Sequence, residues 1–328
     1  MDRHPVYLSA ADVEAAMPPV EARVDLAERT MVALVADAEL PPKIGVHPRP
    51  AGSFAHAMPA SLRPRDGEAD DLLGIKWVTG FPGNRAQGLP AIAAVVVLSD
   101  PATGRPHAIL DGGPITAERT AAVSGVALRR FAATDDRTVA IIGAGVQGRS
   151  HLAVIGHVLP GATVLIHDRH PERAERLAET ALATAGIAAA HVMGAARDAA
   201  SGATTVISAV SFTDPAQRQA MTDDWLRDDA LVVPVDYATM CAAEVATGAA
   251  LFLVDERGQF LANRDAGQFD GYPEPHATFG EAILAGTRRP ASGRVVATHL
   301  GVGLADVVFA AAIVERARGA GLGTILPG

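Results

Sequence analysis

Three residues stand out because their types do not suit the settings the sequence offers them. Lys76 lies in the middle of Gly74-Ile75-Lys76-Trp77-Val78, a run that otherwise reads as a buried strand. An isolated buried ammonium is costly, so Lys76 either reaches water along its stem, finds a partner or does chemistry. Arg119 follows Thr116-Ala117-Glu118 in a stretch of helical spacing, which places it in the first turn of a helix capped by Thr116. Its planar fork suits a carboxylate held through two parallel hydrogen bonds. Asp236 closes the apolar run Ala230-Leu231-Val232-Val233-Pro234-Val235. At the carboxyl end of a parallel strand, where ligands of open α/β sheets bind, a carboxylate can steady a developing positive charge and act as a general base. The plainer reading of Asp236 is a helix N-cap.

A second constellation is the loop Gly143-Ala144-Gly145-Val146-Gln147-Gly148, whose spacing is that of a dinucleotide-binding turn. Glycine spacing alone is weak evidence, but the context fits. The loop follows the strand candidate 138–143, opens a helix running from Gln147 to about Val158, and precedes Asp168 by twenty positions. Gly143 permits the tight turn, Gly145 lets the backbone approach a pyrophosphate, and Gly148 lets helix and strand pack closely. Val146 and Gln147 open the helix, whose first N–H groups and positive dipole end suit phosphate. Asp168 would accept hydrogen bonds from the adenine-ribose hydroxyls, which favours NAD. Arg169 and His170 come directly after it and would suit a 2′-phosphate, so NADP stays open. Ser208, Ala209, Val210 and Val235, at the ends of further strand candidates, complete the expected cofactor contacts.

The elements that must position these residues fall into two groups, as expected for 328 residues. Residues 10–36 have helical spacing broken at Pro18-Pro19. From Pro41 to about Asp111 the chain is rich in glycine, proline and short β-prone runs, with Asp100-Pro101-Ala102-Thr103-Gly104 as a turn between antiparallel strands. From residue 138 to about 255, strands (138–143, 164–167, 205–208, 230–233) alternate with helices such as 172–185. Uniformly apolar strands in that alternation predict a parallel sheet covered on both faces. The expected fold is α/β. A Rossmann-type doubly wound domain spans 119–304, and a β-rich substrate and dimerisation domain spans 1–118, completed by a C-terminal helix within 305–328.

Hydrophobic residues make up 49% and charged residues 20%, which predicts a folded chain rather than a disordered one. A net charge of −9 argues against nucleic acid or an anionic membrane surface as partner. No apolar run is long enough to span a membrane, the N-terminus does not read as a signal peptide, and the single Cys241 fits a reducing cytoplasm. No histidine cluster has metal-ligand spacing, and no nucleophile elbow is present.

Beyond the glycine loop, the segments PPKIGVHPRP (41–50), HAMPA (56–60), GIKWVTGFPGN (74–84), LDGGPITAERTAAVSG (110–125) and the closing GVGLADVVFAAAIVERARGAGLG carry a further signal. Together with TVAIIGAGVQG (138–148), they make the chain resemble the ornithine cyclodeaminase/μ-crystallin family over nearly its whole length. The resemblance implies a homodimer whose N-terminal β-domain supplies dimer contacts and substrate pocket. It also implies chemistry at an amino-acid α-carbon through an imine, with nicotinamide as hydride carrier. Lys76 then resembles the lysine that touches the substrate carboxylate and assists proton steps. Arg119 resembles the carboxylate-gripping arginine, and Thr120 a cofactor contact. Asp236 resembles the aspartate that exchanges a proton with amine or water. Lys43 stands where many relatives carry a second carboxylate-binding arginine; it keeps the charge and loses the fork, and Arg49 is an alternative.

Two departures bear on the substrate. Where ornithine cyclodeaminases hold the distal ammonium with a glutamate, two positions before the pair Met58-Pro59, this chain has His56. An imidazole does not anchor an ammonium as a carboxylate does, so ornithine is disfavoured. The late loop, usually Phe-Lys-Ser, reads Ala297-Thr298-His299-Leu300-Gly301, which brings His299 into the candidate set. The expectation is an NAD(P)-dependent oxidoreductase acting on a small amino acid or ketimine, as a cyclic-imine reductase or amino-acid dehydrogenase. The alternatives are an ornithine cyclodeaminase and, from another class, a non-catalytic ligand-binding protein of the kind μ-crystallin relatives provide.

Overall fold

Polar and apolar alternation shapes the first of two units, Met1–Arg119 with Gly301–Gly328, whereas the second, Thr120–Leu300, is built from uniformly apolar strands. The computed structural model describes residues 4–65, 70–133 and 135–327. The outermost residues of the expected first domain, Met1 to Arg3 and Gly328, therefore lie outside the described residues.

Strand β1 (Val6–Leu8) leads into α1 (Ala10–Ala15) and α2 (Val20–Ala36), which are separated at the prolines as the sequence predicts. Strands β2 (Ala38–Glu39), β3 (Ile44–Val46), β4 (Phe54–Leu62), β5 (Leu72–Gly80), β6 (Ile92–Ser99) and β7 (Pro106–Asp111) follow. The turn between β6 and β7 is held by Asp100, whose carboxylate accepts from the Ala102 and Thr103 amides at 3.0 and 2.8 Å.

Helix α3 (Gly112–Phe131) starts at Gly112, which corrects the cap assigned to Thr116. The Asp111 carboxylate accepts from the Gly113 amide at 2.8 Å and starts the helix through the pair Gly112-Gly113. Thr116 is therefore interior, its hydroxyl bonded to the Gly112 carbonyl at 2.6 Å, and Arg119 lies about a turn deeper than expected.

Next come β8 (Thr138–Ile142), α4 (Val146–Val158), β9 (Ala162–His167), α5 (Pro171–Leu182), β10 (Ile187–Val192), α6 (Ala196–Ser201), β11 (Thr205–Ser208) and β12 (Leu231–Pro234). They are followed by α7 (Ala243–Thr247), β13 (Leu251–Val254), α8 (Arg257–Asp265), β14 (Ala277–Thr278), α9 (Phe279–Leu284) and β15 (Val295–Thr298). The chain ends in α10 (Gly303–Ala320) and β16 (Thr324–Ile325).

The first unit carries a mixed sheet in the order β16-β1-β7-β6-β5-β4-β2, with β3 also on β4. Its β1–β7 pair is parallel and the other pairs are antiparallel. Helix α10 lies across β4, β5 and β6, and β16 adds an edge to β1, so the end of the chain completes the sheet that its start begins. The second unit is an all-parallel sheet ordered β10-β9-β8-β11-β12-β15-β13-β14. The chain runs outward from β8 to β10 and then returns beside β8 as β11, which creates the switch point of a Rossmann-type sheet. Strands β11, β12, β13 and β15 are buried at every residue, as their unbroken apolar runs require.

Candidate active site

In the first unit the register explains the odd setting of Lys76. Met58, Lys76, Val96, Leu110 and Leu8 form one row across five strands, and each is at most 3% exposed. Lys76 is thus the single cation in a buried apolar row. Its Nζ donates to Oδ1 of Asp306 on α10 at 2.9 Å. Arg119 donates to the same oxygen through Nε at 3.1 Å, while Asp306 Oδ2 is buried and accepts no hydrogen bond among the described residues.

Burial alone would raise the Asp306 carboxyl, but the charges of Arg119 and Lys76 outweigh it and hold the group below its ordinary value. Burial pulls Lys76 down to about 8; Asp306 works against that shift and Arg119 adds to it. At neutral pH two buried cations therefore face one carboxylate, and the cluster carries excess positive charge.

The sequence singled out both cations but passed over Asp306. The available signal was an acid inside the apolar run Leu304-Ala305-Asp306-Val307-Val308-Phe309.

Lys43 is near enough for its charge to depress both Lys76 and His56. His56 stacks on Phe54 with ring centroids 4.6 Å apart and lies opposite Gly45 on β3. Burial, then the charges of Lys43 and His47, lowers it to about 4, so its imidazole is neutral. Met58 sits directly opposite Lys76, whereas Arg49 stands exposed in the bend before β4.

In the second unit, the ends of β8, β11, β12 and β15 lie side by side in that order. After β8, Gly143 adopts φ +109°, and a Cβ there would lie 2.5 Å from the Ala209 carbonyl oxygen. Only glycine fits this approach to the Ala209-Val210 segment that follows β11. A Cβ on Gly145 would meet nothing within 4 Å, and Gly145 precedes the first turn of α4. An open backbone at a helix N-terminus fits a pyrophosphate. Val146 is 71% exposed beside it, Gln147 is half-buried, and Gly148 is buried against the Gly143 carbonyl.

Asp168, after β9, accepts from the Ala144 amide at 2.8 Å and from the His170 amide at 2.9 Å, which fixes its carboxylate beside the loop. Arg169 is exposed. Thr120 and Ser208 are buried, and the Val235 amide bonds to the Ser208 carbonyl at 2.9 Å.

Asp236 follows β12 and is 3% exposed. Burial pushes its carboxyl up to about 6 against the opposing pull of the Ser208 hydroxyl and of the Val210, Met240 and Thr239 amides. Tyr237 and Ala238 then take left-handed φ values of 55° and 56°, a turn that non-glycine residues adopt only where their surroundings compel it. The Tyr237 hydroxyl donates to the Leu300 carbonyl at 2.7 Å. His299 follows β15, the neighbour of β12, and its Nε2 lies 2.9 Å from the Ser124 hydroxyl.

The comparisons with known proteins concern the chain as a whole. A model of the ornithine cyclodeaminase/mu-crystallin family matches residues 4–320. The nodulation efficiency protein NfeD of Rhizobium meliloti is 32% identical over 88% of this chain and 87% of its own. Delta(1)-pyrroline-2-carboxylate reductase 1 of Burkholderia multivorans is 32% identical over 75% and 74%. Among solved structures, the Thermococcus litoralis Delta(1)-pyrroline-2-carboxylate reductase in complex with NADH and L-proline aligns with a TM-score of 0.84. It covers 98% of this chain and 100% of its own at 26% identity.

Two predictions follow from the buried charges. Asp306→Asn should lower unfolding free energy in denaturant titrations by about 3–5 kcal/mol, because it leaves two buried cations uncompensated. Replacing Lys76, Arg119 and Asp306 together by Met, Leu and Leu should cost less than Asp306→Asn alone; an equal or larger cost would assign the effect to packing. For Asp236 the folded group holds its proton up to about pH 6, whereas an exposed aspartate releases it near pH 4. Its contribution is therefore fully present below about pH 4 and lost as pH rises through about 6. The stability of Asp236→Asn relative to the natural chain should rise across that window; a flat difference would contradict the buried carboxyl.

Proposed function

The chain belongs to the ornithine cyclodeaminase/mu-crystallin family, and on that premise we propose that it is an NAD-dependent reductase of α-carboxylated imines. The observation that carries this proposal is the sharing of one Asp306 oxygen by Lys76 and Arg119, two buried cations against one anion. A substrate carboxylate would supply the missing negative charge: the Lys76 ammonium acts as a point charge and the Arg119 guanidinium as a directional donor. Lys43 adds to the attraction.

The loop from Gly143 to Gly148 with Asp168 would hold the dinucleotide. The Asp168 carboxylate favours a free ribose hydroxyl over a 2′-phosphate, hence NAD over NADP. Bound there, the dinucleotide supplies hydride exchange with the substrate α-carbon. Asp236, protonated up to about pH 6, would pass a proton to the substrate nitrogen and steady the cationic imine once it is ionised.

A neutral His56 beside Lys43 and His47 offers no counter-charge to a distal ammonium. This supports small, cyclic or polar imines over ornithine, and reduction over cyclodeamination. A homodimer is part of the same proposal. Ile44 and Trp77 share a row on the sheet face opposite Lys76 and are 63% and 41% exposed, with Val46 at 56% nearby. A second copy of the chain would cover that apolar strip. The buried, unpaired thiol of Cys241 suits a reducing cytoplasm.

Purified protein should oxidise NADH stoichiometrically with pyrroline-2-carboxylate and release no ammonia from ornithine with catalytic NAD. Arg119→Met should lower kcat/KM for the imine by about 10²-fold or more. Ammonia release from ornithine without net cofactor consumption would overturn the reductase assignment in favour of a cyclodeaminase.

A further inference from the structure

Gly301 opens the second segment of the first unit, just before α10, with φ +79°. A Cβ built on it would lie 2.4 Å from Nη1 of Arg119, 2.6 Å from Nη2 and 2.8 Å from Cζ. All three atoms belong to the guanidinium that shares Asp306 with Lys76. The order of these distances fixes a direction. A point over the flat face of a guanidinium is nearer to Cζ than to the terminal nitrogens, whereas a point nearer to both nitrogens lies off the open end of the fork. A methyl at residue 301 would therefore stand at the mouth of the Arg119 fork, where a carboxylate must come to meet Nη1 and Nη2 together.

The surroundings decide what would yield to such a methyl. Gly303, two residues on, already presses the start of α10 on β4: a Cβ there would lie 2.6 Å from the Met58 carbonyl oxygen and 3.2 Å from Met58 Cβ. Val302 between the two glycines is 1% exposed. The loop is thus held against backbone. Arg119 meets residue 301 only with the far end of a long side chain, whose Nε is tied to Asp306 at 3.1 Å. The fork would give way before the fold does.

Resting on the imine-reductase reading, we propose that Gly301 is a positioning residue for the substrate. By lacking a side chain, it keeps the end of the Arg119 fork open to the substrate carboxylate. Because Nε is committed to Asp306, a side-on grip through Nε and one terminal nitrogen is not available, and the end-on grip through Nη1 and Nη2 is the bidentate geometry that remains. Residue 301 stands directly at that end. Lys76, on the same Asp306 oxygen, adds its charge beside it.

The test uses the full chain. Gly301→Ala should raise the KM for pyrroline-2-carboxylate about tenfold or more, as expected when a charge-assisted pair of hydrogen bonds is lost, with the KM for NADH within threefold. Gly321→Ala is the control for backbone strain. Gly321 has φ +66° at the other end of α10, and a Cβ on it meets nothing within 4 Å. This control should leave both KM values within twofold, and the two variants should melt within about 3 °C of each other. On an Arg119→Met background, Gly301→Ala should change kcat/KM less than twofold, because no fork remains to obstruct. Calorimetric titration with pyrrole-2-carboxylate, a flat carboxylate that NADH does not reduce, should show the same tenfold weakening in Gly301→Ala. A crystal structure of that variant should show the guanidinium displaced while β4 and α10 keep their places.

A smaller rise in the imine KM overturns the proposal, as does an equal rise in Gly321→Ala or a loss that persists on the Arg119→Met background. A Gly301→Ala chain that fails to fold, or one whose loop moves while Arg119 stays, shows that the glycine serves the backbone and overturns it too. If the natural protein reduces no imine, the reductase reading fails by itself, and the position of Arg119 in the Gly301→Ala crystal still decides the role of Gly301.

Discussion

One carboxylate oxygen receiving two buried cations is the constraint on which the first unit depends. Lys76, Arg119 and Asp306 come from β5, α3 and α10, and the bonded partners are 230 and 187 positions apart in sequence. Neither cation is tolerable in its apolar surroundings without the acid, and the acid is not tolerable without them. The strand, the helix that follows the sheet and the returning last helix are therefore bound to one geometry. The remaining positive charge, which is a liability for folding, is also what a substrate carboxylate would neutralise. On the proposed reading, recognition would draw on the same three side chains as stability.

The second unit arranges its chemistry differently. Its parallel strands end at a common edge, and each end presents one kind of group: an open glycine turn after β8, Ser208 closing β11, Asp236 after β12 and His299 after β15. Burial raises the Asp236 carboxyl to about 6, and the consecutive left-handed residues Tyr237 and Ala238 turn the chain sharply away behind it. Such a turn is held by its surroundings rather than by its own preference, here in part through the Tyr237 bond to Leu300. The rigid sheet supplies placement, and the loop after β12 supplies a carboxyl that burial holds protonated up to about pH 6.

Much of this was legible in the amino-acid order. Lys76 announced itself by standing in an apolar strand, and the glycine loop by its position between strand and helix. The all-parallel sheet follows from uniformly apolar runs. Asp306 was missed because one acid in a long apolar helix looks like a polar edge, and only its distant partners show that it points inward. The buried hydrogen-bonded chain of His299, Ser124 and His151 was passed over for a related reason: polar residues on buried helices gain meaning from neighbours far off in sequence. Local chemistry caused the error at Thr116, because Asp111 can start a helix through two glycines that otherwise signal a turn. Strands β1 and β16, of three and two residues, are too short to show a period. His56 was conspicuous by type, but its neutrality depends on burial and on the charges of Lys43 and His47.

The discontinuity of the first unit also bears on how the protein is made. Thr120–Leu300 is one uninterrupted stretch, so its sheet has every strand available before α10 and β16 are added. The sheet of the first unit has no such independence, since α10 and β16 come after the whole of the second unit in the chain. Until they arrive, Lys76 has no acid to meet and its row of the sheet lacks the helix that covers it. The strands before Thr120 thus wait for elements beyond Leu300, and a chain cut after Leu300 would leave an open apolar sheet carrying two unneutralised cations.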